Sequence, residues 1–264
     1  MTQRLIHSAD WQLGRAFSGF GPDLGPQLRQ ARIDAIESLA ELAREQGAEQ
    51  VLVAGDVFDT ETPSNATLLA ALEAVGRAPG LTWRLLPGNH DPLATTGGGL
   101  WERVAREAPP NLRLHLEPRP EEIAPDLWLL PAPWPNKAPG RDLTAWMESA
   151  ATPAGALRIG LAHGPTKRFG AAEAAGALSP PDRADSAGLA YLALGDWHGV
   201  QQAGPRAWYA GTPEPDRFPR NRPGCALVVA PRGPDAEPDV AAVGVARFDW
   251  RAPPPAPRRG RPPA

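Results

Sequence analysis

The sequence predicts an α/β fold in which two mixed sheets pack against each other and helices cover both outer faces, a four-layer α/β/β/α sandwich. Two patterns predict this architecture. In the first part of the chain, short apolar runs alternate with segments of helical periodicity, as in β-α-β units. From residue 112 the apolar runs begin to follow one another without a helix between them, which is typical of a second, mixed sheet.

The first part contains two β-α-β units, whose crossovers are expected to be right-handed and whose strands are expected to be parallel. Gly47 ends the first helix, and Ser64 caps the second. A third, short helix follows Gly99. The predicted strands lie at residues 3–8, 50–54 and 82–86, and the two longer helices lie at 26–46 and 64–77.

The second part is expected to supply the other sheet and the end of the chain. Strands at 112–116 and 127–130 are assigned to that sheet, a helix is expected at 141–149, and further strands are expected at 157–162, 189–194, 207–210, 225–230 and 240–249. One domain over residues 1–250 accounts for these elements. Residues 251–264 are rich in proline and arginine and have nothing to bury, so this tail is predicted to be disordered.

The length of 264 residues suits one large α/β domain with a full core. The single cysteine, Cys225, excludes an intrachain disulfide and favours a reducing compartment. The start lacks the apolar stretch of a signal peptide, and no apolar run reaches the length of a membrane span, so a cytoplasmic protein with no membrane partner is expected. The net charge of −3 argues against a broad nucleic-acid footprint, so any DNA binding should be local.

Polar side chains suited to metal binding follow five of the predicted strands. Glycine beside a strand end lets the backbone turn sharply, so the next side chains project from the carboxyl edge of the sheet, where open α/β folds place their ligands. In the pairs Asp10/Gln12 and Asp196/His198 the two-residue spacing directs both side chains to one side. The candidate ligands are Asp10, Gln12, Asp56, Asn89, His163, Asp196 and His198.

In chain order these motifs read D-x-Q, G-D-x-x-D, G-N-H-D, H-G and G-D-x-H. They resemble the calcineurin-like metallophosphoesterase superfamily over roughly residues 3–215, and within it they look most like the SbcD-type DNA repair nucleases. The resemblance implies the four-layer sandwich and two divalent cations bridged by Asp56. It implies that the first cation is held by Asp10, Gln12, Asp56 and His198, and the second by Asp56, Asn89, His163 and Asp196.

Two positions depart from the family pattern, which has histidine where this chain has Gln12 and Asp196. Both replacements exchange an imidazole nitrogen for oxygen, and an oxygen-rich site favours Mn²⁺ or Mg²⁺ over zinc and copper; we expect manganese. The neutral amide of Gln12 is a weak ligand, so the first cation is expected to be loosely held or absent until substrate arrives. An inactive paralogue is the alternative interpretation.

Further residues are assigned roles around the cations. The resemblance implies that His90 faces the substrate as general acid, with Asp91 as its orienting partner; the alternative is a loop histidine that bonds only backbone. Arg15, Lys167 and Arg168 are candidate contacts for substrate phosphates, or else solvated loop charges.

Five other conspicuous side chains are interpreted as structural. His7 and His115 lie inside strands without a partner motif, and Asp59 is expected to shape a loop or support a ligand without binding metal. Trp11 and Trp197 stand between the paired ligands. Core packing is favoured for both tryptophans over stacking on a nucleobase.

The expected function is metal-dependent hydrolysis of DNA phosphodiesters through a dinuclear site, by a single-strand endonuclease in DNA repair. The alternatives are a phosphodiesterase for small nucleotides or lipid-linked diphosphates and a non-catalytic nucleic-acid-binding paralogue. SbcD-type nucleases carry a capping domain and helices that grip an SMC-like ATPase, yet only 66 residues follow His198, which argues against that partner. The sequence does not indicate an oligomeric state.

Overall fold

The computed structural model describes residues 3–94, 99–166, 179–218 and 221–251. The strands in these ranges are β1 (Leu5–Ser8), β2 (Gln50–Val53), β3 (Thr82–Leu85), β4 (Leu112–Leu114), β5 (Glu121–Ala124), β6 (Leu127–Ala132), β7 (Leu157–His163), β8 (Tyr191–Gly195), β9 (Gln201–Gly204), β10 (Ala207–Tyr209), β11 (Cys225–Ala230) and β12 (Asp239–Gly244). The helices are α1 (Gly21–Gln46), α2 (Asn65–Gly76), α3 (Leu100–Glu107) and the single turn α4 (Arg183–Ser186). None of the helices in the described ranges could span a bilayer.

The strands form two six-stranded mixed sheets, with spatial orders β12-β11-β1-β2-β3-β4 and β5-β6-β7-β8-β10-β9. In the first sheet β1 to β4 are parallel, and β11 and β12 add antiparallel strands at one side. In the second sheet β6, β7, β8 and β10 are parallel, and β5 and β9 are antiparallel edges. Parallel strands therefore lie at the centre of both sheets.

Three apolar clusters separate the layers. Side chains from both sheets, such as Leu52 and Leu227 from the first and Leu129 and Leu161 from the second, form a buried layer between them. A second cluster joins the first sheet to α1, α2 and α3, and a third covers the outer face of the second sheet around Met147. The four-layer α/β/β/α sandwich is therefore confirmed.

Two helices test the sequence predictions closely. The Ser64 hydroxyl accepts a hydrogen bond from the backbone N–H of Thr67 at 3.1 Å, which confirms the cap of α2. The predicted helix at 141–149 is wrong, since only the 3₁₀ turn Ala145–Glu148 forms there. The Asp142 carboxylate accepts from both the backbone N–H and the hydroxyl of Thr144, and such a local side-chain turn competes with helix initiation.

The assignment of β4 to the second sheet is also wrong. β4 pairs in parallel with β3 in the first sheet, because α3 supplies the crossover that a parallel connection needs. The edge strands β5 and β9 were not predicted, since their short, partly polar sequences carry no apolar run. Most of the predicted tail, residues 252–264, lies outside the described residues.

His7 and His115 are buried structural residues, as predicted. The Tyr191 hydroxyl lies 2.8 Å from Nδ1 of His7 between the two sheets, and burial lowers the pKa of His7 to about 3. His115 lies against Arg84 and Glu121, and burial lowers its pKa to about 4. Both rings are therefore neutral in the folded protein at neutral pH.

We predict that His7 makes the protein less stable in acid. Between pH 6.5 and about 3 the unfolded chain binds a proton at His7 that the folded chain does not, so stability falls as pH falls, by up to about 1.4 kcal/mol per pH unit. His7→Asn keeps an acceptor near Nδ1 but does not titrate, so its free energy of unfolding should fall less steeply below pH 6.5. Urea unfolding of both proteins at about pH 7.5 and about pH 5 checks this, and a parent-to-variant difference that is equal at both pH values would contradict it.

Candidate metal centre

The candidate ligands meet at one edge of the sandwich because both sheets end there. The carboxyl ends of β1, β2 and β3 are followed by Asp10 and Gln12, by Asp56 and by Asn89 respectively, and the ends of β7 and β8 carry His163 and Asp196. The loops after β1 and β2 stay paired beyond the strands, since the N–H of Gln12 donates to the carbonyl of Asp56 at 2.9 Å. The backbone N–H of Asp196 donates to the Asp10 carboxylate at 3.1 Å, which ties the second sheet to the first.

Four candidate ligands have left-handed backbone conformations. The φ angles of Asp10, Gln12, Asp56 and Asp196 are 53°, 45°, 52° and 103°. Such angles are uncommon for residues other than glycine, and they occur at functional sites where the surrounding structure holds them in place. The sharp turn after each strand thus places the polar side chains together at the cost of local backbone strain.

Two glycines allow the ligands to approach closely. A Cβ atom at Gly88 would overlap the carboxylate and backbone of Asp56, and one at Gly55, where φ is 80°, would overlap the imidazole of His163. Any larger residue at either position would push a ligand out of place. The glycines that mark these motifs in the sequence are therefore required by packing inside the centre.

One half of the centre consists of the residues around the buried ring of His163. Its Nε2 lies 3.2 Å from Oδ1 of Asn89, 3.3 Å from Oδ1 of Asp56 and 3.9 Å from Oδ1 of Asp196. Its Nδ1 is 2.8 Å from the carbonyl oxygen of Ala54, to which it donates, so in the neutral ring Nε2 presents its lone pair to the other ligands. Ligand atoms of Asp10, Asp56 and His163 also lie within 4.8 Å of one another.

The pKa shifts in this half indicate that its clustered carboxylates are stabilised by a nearby positive charge. Burial lowers the pKa of His163, but Asp56, Asp10 and Asp196 outweigh it and raise that pKa to about 9. Burial also raises the pKa of Asp10, to about 6, and that of Asp196. Three carboxylates, an amide oxygen and an imidazole nitrogen gathered in this way fit a divalent cation.

Gln12 and His198, together with Asp56, form the other half of the centre. The Gln12 amide nitrogen lies 3.1 Å from Oδ2 of Asp56 and 3.5 Å from Nε2 of His198. Its oxygen accepts a hydrogen bond from Arg15 at 2.9 Å. All seven predicted ligands therefore lie at the centre, but the oxygen of Gln12 faces Arg15 and not Asp56.

Asp216 is a member of the centre that the sequence analysis missed. Its buried carboxylate accepts from Nδ1 of His198 at 3.0 Å and contacts Arg15 and Arg217. Burial raises its pKa, but the hydrogen bonds from His198 and Arg217 outweigh this and hold the pKa well below its usual range. The signal in the sequence was the acidic run Glu214-Pro215-Asp216 directly after a Gly-Thr-Pro turn.

His90 and Asp91 do not form a pair. Nδ1 of His90 lies 3.1 Å from the carbonyl oxygen of Asp59, and its Nε2 faces Asp56 at 3.9 Å. The fully buried carboxylate of Asp91 accepts from the backbone N–H groups of Phe58 and Gly88 at 3.0 and 2.7 Å. The expectation that Asp91 orients His90 is therefore corrected: its carboxylate joins the loops after β2 and β3, because buried backbone donors need an acceptor.

Of the three predicted substrate contacts, only Arg15 lies within the described residues. Arg15 is about one-third exposed and contacts Gln12, Asp59 at 3.1 Å and Asp216 at 3.4 Å. Asp59 thus supports the centre through Arg15, in agreement with the interpretation that it is not a ligand. Lys167 and Arg168 lie outside the described residues.

The two tryptophans have different environments. Trp11 is buried, donates to the Ser8 hydroxyl at 3.0 Å and packs edge-on against Trp83, which confirms core packing for Trp11. Trp197 is 37% exposed, contrary to expectation, and lines an open cleft of about 640 Å³ with His198 and Phe218. A second open cleft, of about 560 Å³, borders Asn89 and His90 and includes Lys137.

Comparisons with known proteins agree with this geometry. Residues 3–230 match the family model for calcineurin-like phosphoesterases. A segment of 94 residues is 38% identical to a subunit of the nuclease SbcCD from Rhodobacter capsulatus, and it covers 34% of this chain and only 22% of that relative. The protein TT1561 of Thermus thermophilus matches with a TM-score of 0.56 at 11% identity over 93% of this chain and 100% of its own, which shows the fold alone. Together with the ligands at the shared sheet edge, the match over residues 3–230 establishes that the chain belongs to the calcineurin-like phosphoesterase family.

Proposed function

We propose that the protein is a manganese-dependent phosphodiesterase that hydrolyses DNA, as a single-strand endonuclease in DNA repair in the cytoplasm. The observation that carries the metal dependence is that oxygen atoms of Asp56, Asn89 and Asp196 all lie within 3.9 Å of Nε2 of His163. The similarity of one segment to a subunit of the SbcCD nuclease supports DNA as substrate. The aligned segment covers only 22% of that relative, so the similarity does not support an SMC-like ATPase as partner.

Manganese suits the donor atoms of this centre. Asp10, Asp56, Asn89 and Asp196 would offer oxygen to a cation, and only His163 offers nitrogen in the same half. Hard, oxygen-rich sites select manganese and magnesium over zinc. Bound there, the cation would neutralise the phosphate and make a water molecule acidic enough to act as nucleophile.

The side chains around the cation would bind and orient the phosphodiester. His90 is exposed beside the centre, and the Asp59 carbonyl oxygen holds its Nδ1, so Nε2 faces the site. A proton on Nε2 could pass to the leaving oxygen of the ester. Arg15 would offer its exposed part to a phosphate oxygen.

The shape of the site favours a strand over a small molecule. Open clefts flank the centre on the His198 side and on the His90 side, so a chain of nucleotides could pass over the cation. Trp197 and Phe218, both exposed in the first cleft, offer rings on which bases can stack. A phosphodiesterase for small nucleotides or lipid-linked diphosphates would instead enclose its substrate in a pocket.

Three substrates test this proposal against its alternatives. Metal-depleted protein reloaded with Mn²⁺ is offered circular single-stranded DNA, duplex DNA and bis-p-nitrophenyl phosphate. Cleavage of the circular single strand is expected, since a circle has no ends and only an endonuclease opens it. Hydrolysis of the small diester alone would favour the small-substrate alternative, and no hydrolysis with retained DNA binding would favour the non-catalytic paralogue.

Asp56→Ala should abolish activity and metal retention while the fold is kept. Asp56 faces His163 through Oδ1 and Gln12 through Oδ2, so it contacts both halves of the centre. The loss should exceed the roughly 10- to 100-fold that changes around metal ligands cost. Activity, metal content and circular dichroism are measured, with the exposed Asp23→Ala as control. A variant as active as the parent would remove Asp56 from the site.

Activity should be higher with Mn²⁺ than with Zn²⁺, by roughly tenfold or more, because Asp196 offers oxygen where the family has histidine. Metal-free protein is titrated with each ion and hydrolysis of bis-p-nitrophenyl phosphate is followed. In Asp196→His the activity with Mn²⁺ and the activity with Zn²⁺ should lie closer together, because the new side chain supplies a nitrogen ligand. A zinc preference in the parent would count against the assignment of Asp196 as an oxygen ligand.

His90→Asn should lower the rate of hydrolysis of DNA much more than that of bis-p-nitrophenyl phosphate. A deoxyribose alkoxide needs a proton to leave, whereas p-nitrophenolate is stable without one. We expect a loss on the order of 10²- to 10⁴-fold on DNA and a much smaller loss on bis-p-nitrophenyl phosphate, with unchanged metal content. Parallel kinetics on both substrates test this, and equal losses would mean that His90 has no general-acid role.

A further inference from the structure

We infer that the amide nitrogen of Gln12 takes the place of a cation between Asp56 and His198, so that the centre holds one divalent cation, on the side of Asn89 and His163. This departs from the sequence expectation of two cations. The inference rests on the proposed metal dependence but not on DNA as the substrate.

The two N–H groups of Gln12 meet the atoms that would bind the first cation. The amide nitrogen donates to Oδ2 of Asp56 at 3.1 Å and lies 3.5 Å from Nε2 of His198. Nδ1 of His198 lies 3.0 Å from the Asp216 carboxylate, to which it donates, and 3.1 Å from the Arg217 guanidinium, so in the neutral ring Nε2 carries the lone pair. A neutral donor group thus satisfies both acceptors where a cation would otherwise be needed.

Arg15 determines the orientation of this amide. The Arg15 guanidinium donates to Oε1 of Gln12 at 2.9 Å. If the amide were turned over, its oxygen would face the Asp56 carboxylate and the lone pair of His198, and its nitrogen would face the donors of Arg15. Both contacts would become repulsive, so the oxygen of Gln12 is not available as a metal ligand in this arrangement.

Arg15 itself is fixed, and its charge opposes a second cation. The backbone N–H of Arg15 donates to the carbonyl of Gln12 at 3.2 Å, a tight turn that brings the guanidinium over the amide. Asp59 at 3.1 Å and Asp216 at 3.4 Å hold the guanidinium there. A divalent ion beside Gln12 would meet this fixed positive charge at close range.

The other half of the centre is built differently. Oδ1 of Asp56, Oδ1 of Asn89 and Oδ1 of Asp196 all lie within 3.9 Å of Nε2 of His163. Because the Nδ1 hydrogen of His163 is donated to the Ala54 carbonyl, Nε2 is left as a ligand atom. Ligand atoms converge here with no arginine directed between them among the described residues, so the cation belongs on this side.

Counting bound manganese tests the inference independently of activity. Metal-depleted protein is titrated with Mn²⁺; bound metal is measured by elemental analysis, and electron paramagnetic resonance reports whether the ions are isolated or magnetically coupled. The parent should bind about one isolated ion per chain, and Gln12→His should bind about two coupled ions, because an imidazole nitrogen replaces the amide donor. Gln27→His, which adds a histidine on the exposed face of α1, is the matched control and should stay at about one.

If Gln12→His does not fold, as judged by circular dichroism, a second variant tests the same inference. Arg15→Met frees the Gln12 oxygen, and it should admit a second, weaker ion at high Mn²⁺ concentration. Two coupled ions in the parent, or one ion in every variant that folds, would overturn the inference. A parent protein that binds two ions and hydrolyses a phosphodiester would overturn this inference but not the proposed function. A parent protein that binds one ion and hydrolyses no phosphodiester would overturn the proposed function but not this inference.

Discussion

The mutual repulsion of carboxylates held together at one sheet edge is the constraint on which the rest of this structure depends. Asp10, Asp56 and Asp196 are brought together where two sheets end, and their field raises the pKa of His163 to about 9. Such a cluster cannot stay charged in a buried place without protons or a cation. The fold therefore holds a cluster that requires protons or a cation, and the neighbouring backbone keeps the candidate ligands from moving apart.

Several residues that are not themselves candidate ligands hold this arrangement in place. Asp91 ties the loops after β2 and β3 to each other, and Gly88 lets the second of these loops lie against Asp56. The Ala54 carbonyl sets the tautomer of His163. Left-handed turns at the ligands add strain that only a well-packed sandwich can hold, which links the apolar layer between the sheets to the chemistry at their edge.

The centre is unequal in its two halves. The half around His163 presents ligand atoms to a common point, whereas the half around Gln12 is closed by donors and by Arg15. A guanidinium held by carboxylates next to a metal site can neutralise a phosphate without being mobile itself. The chain would then use a fixed arginine for part of the charge neutralisation that the family pattern assigns to a cation.

By itself the sequence predicted the parallel strands, their order along the chain and the candidate ligands that meet at the sheet edge, because strand periodicity and the glycine turns after each strand are local properties. It could not place β4, since membership of a sheet depends on the crossover through α3. It also misjudged Asp91 and missed Asp216, because both roles depend on partners distant in the chain or on a loop with no regular pattern. The direction of the Gln12 amide, decided by Arg15, Asp56 and His198 together, exists only in the tertiary structure, where donors and acceptors from separate strands must be satisfied at once.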